Sequence, residues 1–155
     1  MSVVIVQEPA DTPDAAALVT ELEAQLSLLY PQESRHGFSV EKLVREGVVF
    51  FVVRVDGQPA GCGGVQFVDG DFGELKRMYV RPPFRRCGLG KLLLTHLADH
   101  TRQHGLNVLR LETGVHQVEA IRLYERFGFR RIEPFAPYRV DAVSICFEMR
   151  LAART

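Results

Sequence analysis

Three features of the 155-residue sequence predict a mixed α/β domain with one parallel strand pair. The runs VVFFVVRVDG, QPAGCGGVQFVDG and DFGELKRMYV follow one another across Asp-Gly pairs, which are hairpin signals and predict an antiparallel meander. From Leu89 the pattern changes to helix, strand, helix, strand; a strand, a helix and a further strand imply a right-handed parallel crossover. Apolar residues make up 46% of the chain and charged residues 25%, the balance of a single globular domain over 1–155. A domain of that size buries roughly two thirds of its unfolded surface.

The elements follow in chain order. VVIV at Val3–Val6 reads as a short strand. Asp11 or Thr12 then caps a helix with Pro13 in its first turn, and Leu18, Leu22, Leu26 and Leu29 recur at helical spacing. SVEKLVREG reads as a second, short helix with Ser39 as cap and Gly47 as stop. After the meander, a helix runs from about Leu89 to His104 and stops at Gly105, with NVLRLET as a strand beyond it. A fourth helix from about Val118 to Phe127 stops at Gly128, and strands lie near FRRI and VSICFEMRL.

The net charge is zero but unevenly placed. Met1–Met78 holds 6 Lys/Arg against 12 Asp/Glu, and the remainder holds 13 against 7. A zero total argues against a nucleic-acid binder, while the basic half suits a small polyanion. Cys62, Cys87 and Cys146 are odd in number and form no CxxC pair, so a disulfide framework or zinc site is not expected and a reducing, cytoplasmic setting is. No signal-peptide pattern or membrane-length apolar run is present, so no membrane association is expected. His96, His100 and His104 line up at i,i+4 spacing, but without HExxH or a carboxylate partner the stripe reads as a solvated helix face and no metal is expected.

The chemistry begins at VRPPFRRCGLGKLLLTHL. A helix N-terminus presents unpaired N–H groups and partial positive charge, which suits phosphate. Gly88 and Gly90 let the backbone come close, Arg85, Arg86 and Lys91 add cations, and Pro82 and Pro83 stiffen the entry. The spacing is neither GxxxxGK[ST] nor GxGxxG.

Val80, Pro82, Arg85, Gly88 and Gly90 fit V-x-P-x-x-[QR]-x-x-G-x-[GA], and Ala120, Leu123, Tyr124, Gly128 and Phe129 fit A-x-x-L/F-Y-x-x-x-G-F. Together these resemble the two hallmarks of the GNAT superfamily of acetyl-CoA-dependent N-acetyltransferases, and the element order follows that fold along nearly the whole chain. The resemblance implies a mostly antiparallel twisted sheet of about six to seven strands, four helices and a splayed central parallel strand pair. It also implies that the backbone of Arg85, Arg86, Cys87, Gly88, Leu89, Gly90 and Lys91 holds the coenzyme pyrophosphate. Met78, Tyr79 and Val80 would meet the pantetheine arm along a bulged strand. A bulge agrees with the break in alternation between Leu75 and Met78. Gln117 stands where many relatives have an asparagine that touches the arm. Cys87 takes a variable position and reads as a spectator thiol.

Acetyl transfer to an amine needs an oxyanion donor, an acid for the leaving thiolate and a neutral amine. The resemblance assigns them to the Met78 N–H, to Tyr124, and to Glu74 as base, with Glu112 at the next strand end as competitor and solvent as the third choice. In this fold the acceptor pocket is lined by LLYPQESRHGF and PFAPYRVDAV, where Tyr30, Arg35, His36, Tyr138 and Arg139 are able to orient a substrate and either arginine suits a carboxylate. The expectation is an enzyme acetylating a primary amine of a small molecule by direct attack in a ternary complex. The alternatives are acetylation of protein lysines or N-termini, or an acetyl-CoA-binding regulatory module; a homodimer is left open.

Overall fold

The first two predicted helices start where their cap residues stand. In the computed structural model, which describes residues 1–152, Thr12 caps α1 (Pro13–Leu29) by accepting from the Ala15 N–H at 3.3 Å, and Ser39 caps α2 (Val40–Arg45) by accepting from the Lys42 N–H at 3.1 Å. The strands are β1 (Val3–Gln7), β2 (Val49–Val55), β3 (Gln58–Val68), β4 (Phe72–Val80), β5 (Val108–Gly114), β6 (Arg130–Ile132) and β7 (Ser144–Arg150). Helices α3 (Leu89–Gln103) and α4 (Val118–Phe127) lie between β4 and β5 and between β5 and β6. Both Asp-Gly turns adopt the left-handed backbone that hairpins of this kind use, with φ of 49° and 81° at Asp56 and Gly57.

The seven strands form one sheet in the order β1-β2-β3-β4-β5-β7-β6, antiparallel except where β4 meets β5. Period-two alternation gives β2 two buried faces. Phe50 and Val52 pack under α1 and α2 with Leu18, Leu22 and Leu43, while Phe51 joins Leu94, Leu97, Leu109 and Tyr124 on the side of α3 and α4.

Two irregularities in β4 shape everything that follows. Gly64 pairs with Lys76 but Cys62 pairs with Tyr79, so Arg77 and Met78 together oppose Gly63. This is the expected bulge, and Arg77 sits in it at φ 55°, a left-handed conformation that bulky residues rarely adopt. On its other edge β4 matches β5 only at Gly73↔Leu109 and Glu74↔Arg110, after which the two parallel strands part.

The histidine stripe of α3 is only in part the solvated face its spacing suggested, since His104 is exposed while His96 and His100 are half-buried. The His96 ring meets Phe51 edge-on at 4.6 Å, His104 stacks on Phe67 at 4.4 Å, and His100 touches both rings. Imidazoles have an apolar body, and the phenyl rings rising from β2 and β3 cover it. Among the described residues no cluster of His, Cys, Asp or Glu is arranged to hold a metal, and no helix is long and apolar enough to cross a membrane.

Candidate active site

The parting of β4 and β5 opens a slot of about 120 Å³. Leu75–Met78 form one wall and Leu111–Gly114 the other, α4 and the residue before it contribute Ala120, Tyr124 and Gln117, and α1 with the residue after it closes the slot through Leu22, Leu26 and Tyr30. Such a crevice beyond the carboxyl ends of parallel strands is where open α/β sheets gather ligands.

The glycine turn opens α3, the helix that connects β4 to β5. Gly88 caps α3 at φ 80° with no side-chain cap, and Arg86 before it is also left-handed at φ 65°. The first N–H groups of the helix are therefore left to an outside acceptor. Arg86, Cys87 and Lys91 are exposed around them. Arg85 bends back, its Nε donating to the Val80 carbonyl at 2.9 Å, so that carbonyl is occupied here by the chain's own guanidinium. Leu89 buries its side chain among Val53, Val55 and Leu93 and leaves only its backbone to the turn. Tyr79 likewise offers only main chain, because its ring enters the core under α1 and its hydroxyl donates to Glu21 at 3.2 Å. Gly90 has a packing duty: a Cβ there would lie 2.7 Å from Leu123 Cδ2 of α4.

The carboxylates divide between two cavities. Glu112 lines the slot with Tyr124; the Ser144 hydroxyl donates to it at 2.5 Å, and burial raises its pKa, partly offset by that hydrogen bond and by His36. Tyr124 is buried, which raises its pKa, and its hydroxyl has no hydrogen-bond partner among the described residues. Glu74, the sequence's first choice for base, lies instead in a neighbouring cavity of about 490 Å³. There it accepts from Lys76 Nζ at 2.9 Å and from the Tyr138 hydroxyl at 2.5 Å. Lys76 Nζ also sits 3.9 Å from the centre of the Phe38 ring.

Tyr30, Arg35, His36 and Tyr138 all reach the slot, whereas Arg139 is exposed and lines neither cavity. Tyr30 accepts from the His116 N–H at 2.9 Å, and its hydroxyl lies 3.5 Å from Gln117 Oε1, which ties α1 to the start of α4. Three residues that sequence reasoning missed complete the site: Glu23, Lys76 and Arg77. Arg77 donates from Nε to the Phe38 carbonyl at 2.8 Å and pairs with Glu23 at 2.6 Å, while Arg35 pairs with the other oxygen of Glu23 at 2.8 Å. The only sequence signal for Arg77 was its place in the suspected bulge.

Comparison with known proteins agrees with this fold. The model of the Acetyltransferase (GNAT) family matches residues 15–129. An IAA acetyltransferase of Azospirillum brasilense is 40% identical over 135 residues, covering 86% of this chain and 88% of that protein. Among solved structures, a candidate acyl-CoA N-acyltransferase of Klebsiella pneumoniae superposes with a TM-score of 0.83 at 32% identity, over 97% of this chain and 98% of that one. A GNAT family acetyltransferase of Elizabethkingia anophelis with acetyl-CoA bound shares the fold, with a TM-score of 0.73 at 18% identity over 96% and 98% of the two chains.

Proposed function

The chain belongs to the GNAT acetyltransferase family, and from that premise we propose that it moves the acetyl group of acetyl-CoA to a primary amine of a small molecule, by direct attack in a ternary complex. The observation that carries the reading is the slot between β4 and β5, which has the unpaired Tyr124 hydroxyl in its lining and the open N-terminus of α3 nearby in the chain's own crossover. The residues present fit acetyl-CoA. Backbone N–H groups from Arg86 to Lys91 hold its pyrophosphate with Arg86 and Lys91 alongside, and Gln117 faces its arm in the slot. Acetyl-CoA supplies the activated thioester; everything else falls to side chains and backbone of this protein.

The Met78 N–H in the bulge donates to the thioester oxygen as charge develops on it, a role in which one donor typically contributes about 2.7–4 kcal/mol. Tyr124 donates its proton to the departing thiolate. Its raised pKa keeps the phenol protonated at neutral pH, as an acid must be. For the base, support shifts from Glu74 to Glu112. Glu74 is committed to Lys76 and Tyr138, whereas Glu112 lines the slot with a pKa raised toward the range where a carboxylate takes up a proton efficiently. The neighbouring cavity, of about 490 Å³, has the size of a small-molecule site. The deciding experiment offers acetyl-CoA and a broad amine panel and follows free CoA thiol together with acceptor mass. Thiol release matched by an acetylated amine is expected; thiol release without one, or none at all, contradicts the proposal.

A further inference from the structure

The charge arrangement around the slot singles out Arg35 and Arg77. These two guanidiniums share one carboxylate, with Arg35 Nη1 on one oxygen of Glu23 and Arg77 Nη2 on the other. Of the other acids, Glu74 pairs with Lys76, and Glu112 lines the slot with only the neutral Ser144 hydroxyl bonded to it. One positive charge is left over on the Glu23 side. Arg35 Nε is buried and has no hydrogen-bond partner among the described residues, and an orphaned buried donor calls for an explanation. Arg77 has used two of its five N–H groups, on Phe38 and Glu23, and its guanidinium lies so close over Gly37 that a Cβ there would collide with it.

Resting on the acetyl-transfer reading, we propose that the acceptor is an amino acid or a close derivative, whose carboxylate is held by Arg35 and Arg77 while its amine faces Glu112. Both ends of such a molecule meet opposite charge within one slot, since Arg35, Arg77 and Glu112 all line it. The excess is a single charge, which matches a carboxylate better than a phosphate dianion. The acceptor's side chain has the adjoining cavity, which Arg35 also lines and where Phe38, Val68 and Tyr138 supply apolar and aromatic surface. An Arg fork engages a planar carboxylate through two parallel N–H groups, so the geometry selects the acid and not its amide.

The test compares the L-amino acids with their α-amides and their decarboxylated amines, by kcat/KM on wild type and on Arg35→Gln. Wild type is expected to prefer the acid over the amide by at least roughly tenfold, and Arg35→Gln to bring that ratio close to one. Equal use of acid and amide by wild type overturns the inference and leaves acetyl transfer standing. An Arg35→Gln protein that loses both substrates in the same proportion also overturns it, because a merely structural arginine would do that. If that variant does not fold, the wild-type ratio still decides, with Arg35→Lys as the second variant, since a lysine keeps the charge but not the fork. No turnover of any amine would remove the acetyl-transfer reading itself, and this inference with it.

Discussion

Tyr124 and Glu112 both line the slot, and the roles proposed for them separate in kinetics. If Tyr124 protonates the thiolate, Tyr124→Phe lowers kcat by roughly 10²–10⁴-fold, while calorimetry finds acetyl-CoA affinity nearly intact. The burial that raises the Glu112 pKa has a cost in stability. A carboxyl whose folded pKa is raised favours folding at pH below its unfolded value near 4.3, and that advantage is lost as pH rises through the folded pKa. Glu112→Gln keeps an acceptor for Ser144, so its melting temperature at pH 8 should equal or exceed that of wild type while kcat/KM falls, with partial recovery at high pH as the amine arrives neutral. Glu74→Gln should behave the other way. Removing one partner of a buried ion pair leaves Lys76 uncompensated, at a cost of about 3 kcal/mol or more, so thermal stability drops first. A Glu74→Gln protein that is stable but has lost the acidic limb of the pH profile would return the base to Glu74.

Helix α3 connects the glycine turn to the core, and its two ends answer to different forces. At the N-terminus, Gly90 touches α4 through Leu123. Gly90→Val should lower stability by about 1–3 kcal/mol through overpacking, and Leu123→Ala in the same chain should restore part of that; a double mutant showing only the sum of the two losses would mean that the helices do not meet there. Toward the C-terminus, burial first, then His104 and His96, lower the pKa of His100. Between its folded pKa and about 6.5 the unfolded chain binds more protons than the folded one, so stability is full above that window and declines as pH falls through it. Thermal melts from pH 7.5 to 5 should show this decline, and His100→Gln should flatten it. An unchanged slope would place the acid sensitivity elsewhere.

The sheet divides into a continuous antiparallel part and an opened junction, and ligand binding should register at the junction. At a hundredfold excess over Kd, acetyl-CoA stabilises the folded chain by about 2.7 kcal/mol, which for a protein of this size raises Tm by roughly 5–10 °C. Hydrogen exchange should slow most at Lys76–Val80 and Arg85–Lys91 and change little in the β1–β2 pairing, whose register is already complete. Uniform protection across the sheet would argue against a ligand seated between β4 and β5.

Local signals were enough to read most of this architecture from the amino-acid order. Thr12, Ser39, Gly105 and Gly128 bound their helices because capping and left-handed exits depend on near neighbours alone, and the Asp-Gly pairs marked the hairpins for the same reason. The uncapped glycine turn at the start of α3 was legible too, since it is formed by one short segment. The partition of the carboxylates was not. Whether Glu74 or Glu112 meets the slot depends on where two strands paired at positions 36 residues apart in sequence cease to pair, and on Tyr138 and Ser144 arriving from beyond α4 to reach Glu74 and Glu112. The Glu23 bridge between Arg35 and Arg77 was likewise invisible, because charge at a surface helix position reads as solvated until a bulge turns Arg77 inward against it. Backbone conformation, and a pair such as Glu74 and Lys76 on one strand, is decided by neighbours in sequence; the sharing of Glu23 by Arg35 and Arg77 is decided by which distant segments the fold brings within about 3 Å of each other.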